Sequence, residues 1–150
     1  MDYGLDTGFL VAAEVVEHTD HVAARQTLSR LVAASQRIAI APQVLAEFIH
    51  VVTDSRRFAQ PLSMGAARYV AQQWWTANEV DRVFPNAVAT QHFLAWLEQF
   101  SLGRKRLLDT LLAATYHQMG IPSILTTNPS DFAIFGIFTC VTPSAAEPSP

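Results

Sequence analysis

Disulfides, long apolar runs and a basic surface are all missing from this 150-residue chain. The single cysteine, Cys140, sits in an apolar run, so no internal disulfide can form. It reads as a small buried core residue rather than a reactive thiol, and a reducing cytoplasm fits that reading. Charged residues make up only 15% of the chain, which is low for a soluble protein. The deficit implies extensive burial or a covered patch such as a subunit interface. A net charge of −3 argues against wholesale nucleic-acid binding through a basic surface, while leaving room for a local basic patch. No uncharged stretch approaches the roughly 20 residues of a membrane span. Met1-Asp2 lacks the basic start of a secretory signal, and Asp6 and Glu14 interrupt the apolar segment behind it. Asn128-Pro129-Ser130 is no glycosylation acceptor, because proline holds its middle position. No internal repeat or linker is evident.

What is present is a chain half apolar, enough for one domain with a sizeable core. The domain is expected over residues 1–143, and the Pro/Ser/Ala-rich end, 144–150, as a disordered tail. Tyr3 to Asp6 reads as a short strand ending in an acid. Thr7-Gly8 reads as a turn, and Phe9 to Val16 as a short apolar helix. Thr19 or Asp20 can cap a helix to about Ala34, with Val22, Leu28, Leu31 and Val32 inward. Arg37 to Ile40 is the second strand, and Pro42 suits the first position of a helix to about Thr53. Ser63 can cap a helix to Thr76, and Glu79 to Val83 reads as a weak edge strand. Asn86 can cap a helix through Phe100, with Phe93, Leu94 and Leu97 inward. Ser101 to Lys105 is a turn. A helix from about Arg106 to Met119 follows, stopped by Gly120. Ile124 to Thr126 and Ile137 to Val141 are the last strands. Strands alternating with helices predict an α/β fold, a parallel sheet with helices on both faces. In such folds ligands bind beyond the carboxyl ends of the strands.

The acids fall where that rule matters. Asp6 ends the first strand, and Glu47 lies in the second turn of the helix after the second strand. Asn128 and Asp131 follow the fourth strand. Asp109 stands apart, in the first turn of the helix preceding that strand. Its helix is not expected to begin at the same sheet edge, and Asp109 joins the others only if it does. At about 100° per residue, Asp109 falls beside Leu112 and Tyr116, and Glu47 just outside the edge marked by Val44 and Val51. No lysine or arginine lies within a helical turn of Glu47. Carboxylates converging without cations repel one another, and a divalent ion removes that problem. Oxygen-only ligands favour Mg²⁺ or Mn²⁺ over zinc. Such a site activates a water and stabilises charge on a phosphate oxygen, sometimes through two ions about 4 Å apart. Phosphodiester hydrolysis is the reaction class that follows.

Each acid also has an ordinary reading. Asp6 could cap a helix, Asp109 could favour a helix dipole and Asp131 could serve a turn, each at about even odds taken singly. Glu47-x-x-His50 lacks the second copy that a di-iron bundle needs. An aspartyl-phosphate mechanism usually needs a second Asp two residues after the strand acid, where Gly8 stands. His18, His21, His92 and His117 read as surface or helix-face residues. Trp74-Trp75 reads as helix packing or a dimer interface before base stacking. Arg104-Lys105-Arg106 precedes Asp109, and Arg104 and Arg106 are candidate phosphate clamps at the cleft rim. Arg56-Arg57 is a weaker case.

Four segments carry a resemblance: Tyr3-Gly4-Leu5-Asp6-Thr7, Val44 to Phe48, Leu107 to Ala114, and Leu125-Thr126-Thr127-Asn128-Pro129-Ser130-Asp131-Phe132. In this order they resemble the PIN-domain nucleases, in particular the VapC-like toxins of bacterial toxin–antitoxin pairs. The resemblance implies a three-layer α/β/α fold and an Mg²⁺- or Mn²⁺-dependent endoribonuclease, usually a homodimer. It also implies a VapB-like antitoxin that blocks the site, often with an arginine. By position it implies Asp6, Glu47 and Asp109 as core metal ligands, with Asp109's helix starting over the site. Thr7 and Thr126 are implied to orient ligands or water. Asn128 stands where many family members carry a fourth aspartate. Asp131, three residues on, is the candidate to supply that charge to the catalytic and metal site. A nuclease-inactive binding module of the same fold is the alternative.

Overall fold

A computed structural model describes residues 1–143 of the chain; the expected tail, 144–150, lies outside the described residues. Five three-residue strands form one sheet: β1 (Tyr3–Leu5), β2 (Ile38–Ile40), β3 (Val80–Arg82), β4 (Ser123–Leu125) and β5 (Thr139–Val141). Its order is β3-β2-β1-β4-β5, and every pairing is parallel. The register sets Tyr3 opposite both Ile38 and Ser123, so β1 is the central strand. Seven helices connect and cover the sheet: α1 (Thr7–Glu14), α2 (His21–Ala33), α3 (Pro42–Val52), α4 (Met64–Thr76), α5 (Ala87–Gln99), α6 (Leu107–Gln118) and α7 (Ser130–Ala133). The expected α/β class with an edge strand at Val80–Arg82 is what forms. Among the described residues no helix is long and apolar enough to cross a membrane.

The strands bury both faces, with Leu5, Ile40, Ile124 and Leu125 fully enclosed. That accounts for their unbroken apolar character. Helix ends follow local chemistry. The side chain of Ser63 accepts from Ala66 N, and that of Asn86 from Ala89 N. Gly120 closes α6 at φ +73°, while Ile121 N bonds back to the Tyr116 carbonyl.

Several local expectations are corrected. Thr7-Gly8 is no turn: α1 begins at Thr7, because Asp6 accepts from Thr7 N and caps it. In α2 the inward residues are Ala24, Thr27 and Leu28, while Val22 is 66% and Val32 41% exposed. Leu94 is 53% exposed, and α5 instead turns Trp96 inward, where it stacks on Phe135 at 4.8 Å. In α2, Leu28 and Leu31 face the core as expected, while the small and polar Ala24 and Thr27 take the rest of that face in place of Val22 and Val32. His21 is half-buried, its Nδ1 3.0 Å from the Ala12 carbonyl oxygen. Residues 104–106 form a 3₁₀ turn, and Ser130–Ala133 forms α7.

The direction of α6 is the correction that matters most. In an all-parallel sheet with two helices joining β3 to β4, the second, α6, must end at the amino edge where β4 begins. A helix that feeds β4 must therefore start at the carboxyl edge, contrary to the expectation for Asp109. Tyr116 fixes its depth. Its ring lies on Gly4, and its hydroxyl donates to the Leu5 carbonyl at 2.5 Å with the Ala39 carbonyl at 3.2 Å. Asp109 is two turns upstream on the same helix face, roughly 10 Å nearer the carboxyl edge.

Gly4 is required by that contact. A Cβ there would meet three Tyr116 ring atoms at 2.5–2.9 Å, and the ring is fully buried. Gly4→Ala should therefore cost at least about 1–3 kcal/mol of stability, as overpacking does. Denaturant unfolding would measure it, and the same substitution in a Tyr116→Leu background should cost clearly less.

Candidate active site

The strand order reverses between β1 and β4: the chain moves outward from β1 through β2 to β3, then returns to β4 on the other side. The carboxyl ends of these two strands are tied together, Asp6 N donating to the Leu125 carbonyl at 3.0 Å. The Asp6 side chain stands at this crossover and is only 7% exposed. Its Oδ1 accepts from Thr7 N at 2.8 Å, and its Oδ2 accepts from Thr126 Oγ1 at 2.9 Å. Thr126 is fully buried, and its Oγ1 also accepts from Asn128 N at 3.0 Å. One threonine thus fixes both the first acid and the loop that carries the last.

Glu47 reaches the site from the second turn of α3, half-buried, and Asp109 from the first turn of α6. Asp131 lies in α7. Their mutual effects show who neighbours whom. Burial pushes the Asp6 carboxyl up to about 7, with the Asp109 charge the next cause and Glu47 a smaller one; the bonds from Thr126 and Thr7 oppose the rise. Burial and then Asp109 raise Glu47, against an opposing pull from His50. Burial and then Asp131 raise Asp109, against Arg106. The four acids therefore form one electrostatic unit with Asp109 in the middle.

Of the other candidates, Thr7 keeps its hydroxyl buried with no hydrogen-bond partner. Asn128 is exposed, and its backbone serves Thr126. Arg106 turns into the cluster, 3.8 Å from Asp109 and 3.9 Å from Asp131. Arg104 stays exposed on the rim. Arg56 and Arg57 are both engaged by Asp54, so they do not form a free patch. Trp74 donates to Glu14 at 2.8 Å, and Trp75 packs edge-on against Phe84, so both serve packing. A groove of about 730 Å³ between α2 and α4, lined by Leu28, Tyr69, Val70, Trp74 and Val80, lies at the other end of the sheet and holds none of these acids.

Two positioning residues escaped the sequence reading. Tyr116 sets the depth of α6. Gly8 leaves room for Thr127, whose hydroxyl a Cβ at position 8 would strike. The small residues at 4 and 8 flanking Asp6 were the available signal.

The donor chemistry fits a hard divalent cation. The carboxylates are raised by their own repulsion and burial, and Thr7 offers an unpartnered oxygen beside Asp6. Among the described residues no three His, Cys, Asp or Glu side chains are gathered tightly enough to hold an ion among them. The arrangement therefore suits an ion that keeps several of its own waters, as Mg²⁺ does.

Comparison with known proteins agrees with this geometry. Residues 3–135 match the profile of the PIN domain. No curated protein sequence matches the chain. Among solved structures, VapBC2 from Rickettsia felis, bound to a promoter DNA fragment, superposes with a TM-score of 0.65 at 22% identity, covering 95% of this chain and 98% of that one. Mycobacterium tuberculosis VapC20, a sarcin–ricin loop cleaving toxin, gives 0.62 at 19% identity, covering 82% and 87%. VapBC-1 from nontypeable Haemophilus influenzae gives 0.63 at 16%, covering 96% and 99%. At these identities the likeness is one of fold.

A raised carboxyl makes stability depend on pH in a definite direction. Asp6 is protonated more readily folded than unfolded, so its contribution is fully present below about pH 4 and is lost as pH rises through about 7. The shift from 3.8 to about 7 corresponds to an upper bound of roughly 4 kcal/mol. In EDTA, Asp6→Asn should flatten this part of the pH profile and raise Tm at pH 8 more than at pH 5. Calorimetry at both pH values would check it, and saturating Mg²⁺ should flatten the wild-type profile similarly.

Proposed function

The chain belongs to the PIN-domain family, and from that premise we propose that it is a metal-dependent endoribonuclease, the toxin of a toxin–antitoxin pair. The observation that carries this reading is the buried Asp6 at the β1–β4 crossover, coupled to Glu47, Asp109 and, through Asp109, Asp131. Among the described residues Arg106 is the cation paired with these acids, too little to balance four carboxylates. On this reading Asp6, Glu47 and Asp109 hold a hydrated ion partly through its own waters, with Asn128 and Asp131 at its outer side. A bound Mg²⁺ or Mn²⁺ supplies activation of a water and neutralises charge on a phosphate oxygen.

The chain's own residues do the positioning. Thr126 holds the Asp6 carboxylate at a fixed angle and keeps it from rotating away when it is charged. Thr7, next to Asp6 in the chain, keeps a buried hydroxyl without a hydrogen-bond partner among the described residues and is the proposed group for orienting a water. Arg104, exposed beside the cluster, offers a cation to an RNA phosphate that the acids would otherwise repel. Several of the structural neighbours are toxin–antitoxin complexes. A VapB-like antitoxin with a basic side chain for the acids is therefore the expected partner. The apolar groove between α2 and α4 offers such a partner, or a second copy in a homodimer, buried surface. An RNA substrate and a cytoplasmic setting complete the proposal.

Incubation of the purified chain with structured RNA and Mg²⁺ or Mn²⁺ should give internal cleavage that EDTA abolishes. Asp6→Asn and Glu47→Gln should each reduce the rate by more than about 100-fold, beyond what loss of an outer-shell partner costs. Cleavage surviving both EDTA and Asp6→Asn would overturn the reading. Absence of any divalent-ion binding would favour the alternative, a binding module without nuclease activity.

A further inference from the structure

Resting on that metal-dependent reading, we propose that the Arg106 guanidinium takes the place of a second cation, so that the site binds one divalent ion per chain. Arg106 comes from the 3₁₀ turn just before α6, yet its side chain leaves the solvent and enters the acidic cluster. Its Nε lies 3.8 Å from Asp109 Oδ2, and its Nη1 lies 3.9 Å from Asp131 Oδ1. Its Nη2 donates to the Asp131 carbonyl. One planar cation thus brackets two carboxylates from segments 22 residues apart (Asp109 and Asp131) and the backbone of α7.

This is unlike a surface ion pair, in which two flexible chains meet in water for little gain. The Arg106 side chain is 23% exposed, and its Nε is buried without a hydrogen-bond partner. Its backbone is fixed on both sides: Arg106 N donates to Gly103, and its carbonyl accepts from Thr110 Oγ1 at 2.6 Å. A half-buried guanidinium with one buried N–H unpartnered among the described residues is favoured where the surrounding negative charge compensates.

The position matters because Asp109 is the shared member of the cluster. An ion bound between Asp6, Glu47 and Asp109 uses one side of it. A second ion would have to lie between Asp109 and the 128–131 loop, where the guanidinium already sits. The loop is poorly equipped to displace it. Asn128 is uncharged and exposed, and Asp131 accepts from Arg106 through its carbonyl while its carboxylate lies 3.9 Å from the guanidinium. Four carboxylates and one guanidinium leave three negative charges. One divalent ion leaves one, whereas two would reverse the sign of the site beside a fixed cation.

The test counts ions rather than turnover. The full chain, purified alone, is titrated with Mn²⁺ at neutral pH, and free Mn²⁺ is followed by electron paramagnetic resonance. Wild type and Arg106→Lys should each bind one Mn²⁺ per chain, and Arg106→Met should bind two, the second more weakly. Arg106→Gln, which keeps a neutral polar donor at this position, should also bind two and serves where the Met variant does not fold. Two ions on the wild type, or only one on a folded Arg106→Met or Arg106→Gln, would overturn the stand-in while leaving the nuclease reading intact. No Mn²⁺ on the wild type would remove the nuclease reading itself, and this inference with it.

Discussion

A carboxylate buried at the point where a parallel sheet changes direction is the constraint on which the rest depends. Asp6 cannot move out to water without breaking the bonds from Thr7 N and Thr126 Oγ1, and those bonds belong to the ends of β1 and β4. Its cost is electrostatic: burial alone disfavours its charge, and Asp109 adds to that. The fold tolerates the cost because three hydrophobic layers are already committed around it. Leu5, Phe9, Leu10 and Leu125 are all fully enclosed on neighbouring positions.

The second acid of the pair is delivered by a different device. Asp109 lies near Asp6 only because α6 is set at one depth against the sheet, and Tyr116 sets it. The phenol reaches across β1 to lie near carbonyls of both β1 and β2, and Gly4 leaves the space for its ring. Backbone geometry then carries the information two turns up the helix. A residue without any contact to a substrate therefore governs the spacing of the acids, and the glycine opposite it is as much part of the site as any ligand.

Element types were legible in the sequence wherever local chemistry decides them. Ser63 and Asn86 cap as their side chains allow, Gly120 ends α6, and the unbroken apolar strands are buried on both faces. The acids stood out in the sequence as a set, while each taken singly also had an ordinary reading as a cap or turn residue. What was not legible depends on distant partners. The face of α2 is set by contact with α1, which takes Ala24 and Thr27 inward and leaves Val22 outside. Leu94 yields its place to Trp96 because Phe135, 39 residues later, supplies a stacking surface. The direction of α6 follows from topology alone and was open to deduction. The helix that runs directly into a parallel strand must end at the amino edge where that strand begins, whatever its own sequence says.

Arg106 shows the same limit from the other side. As a sequence, Arg104-Lys105-Arg106 is three equivalent cations on a turn. The fold separates them. Arg104 and Lys105 remain exposed, while Arg106 is drawn inward by a potential that four acids generate together. The field of the cluster selects which cation enters, and the 3₁₀ turn decides which one can reach. An arginine suits that position better than a lysine, because only a planar fork can meet a carboxylate on one edge and a carbonyl on another at once. The cluster and its internal cation must therefore be considered together. Removing Arg106 changes the charge that every acid experiences, Asp109 first, since the guanidinium is the one group acting to lower that carboxyl.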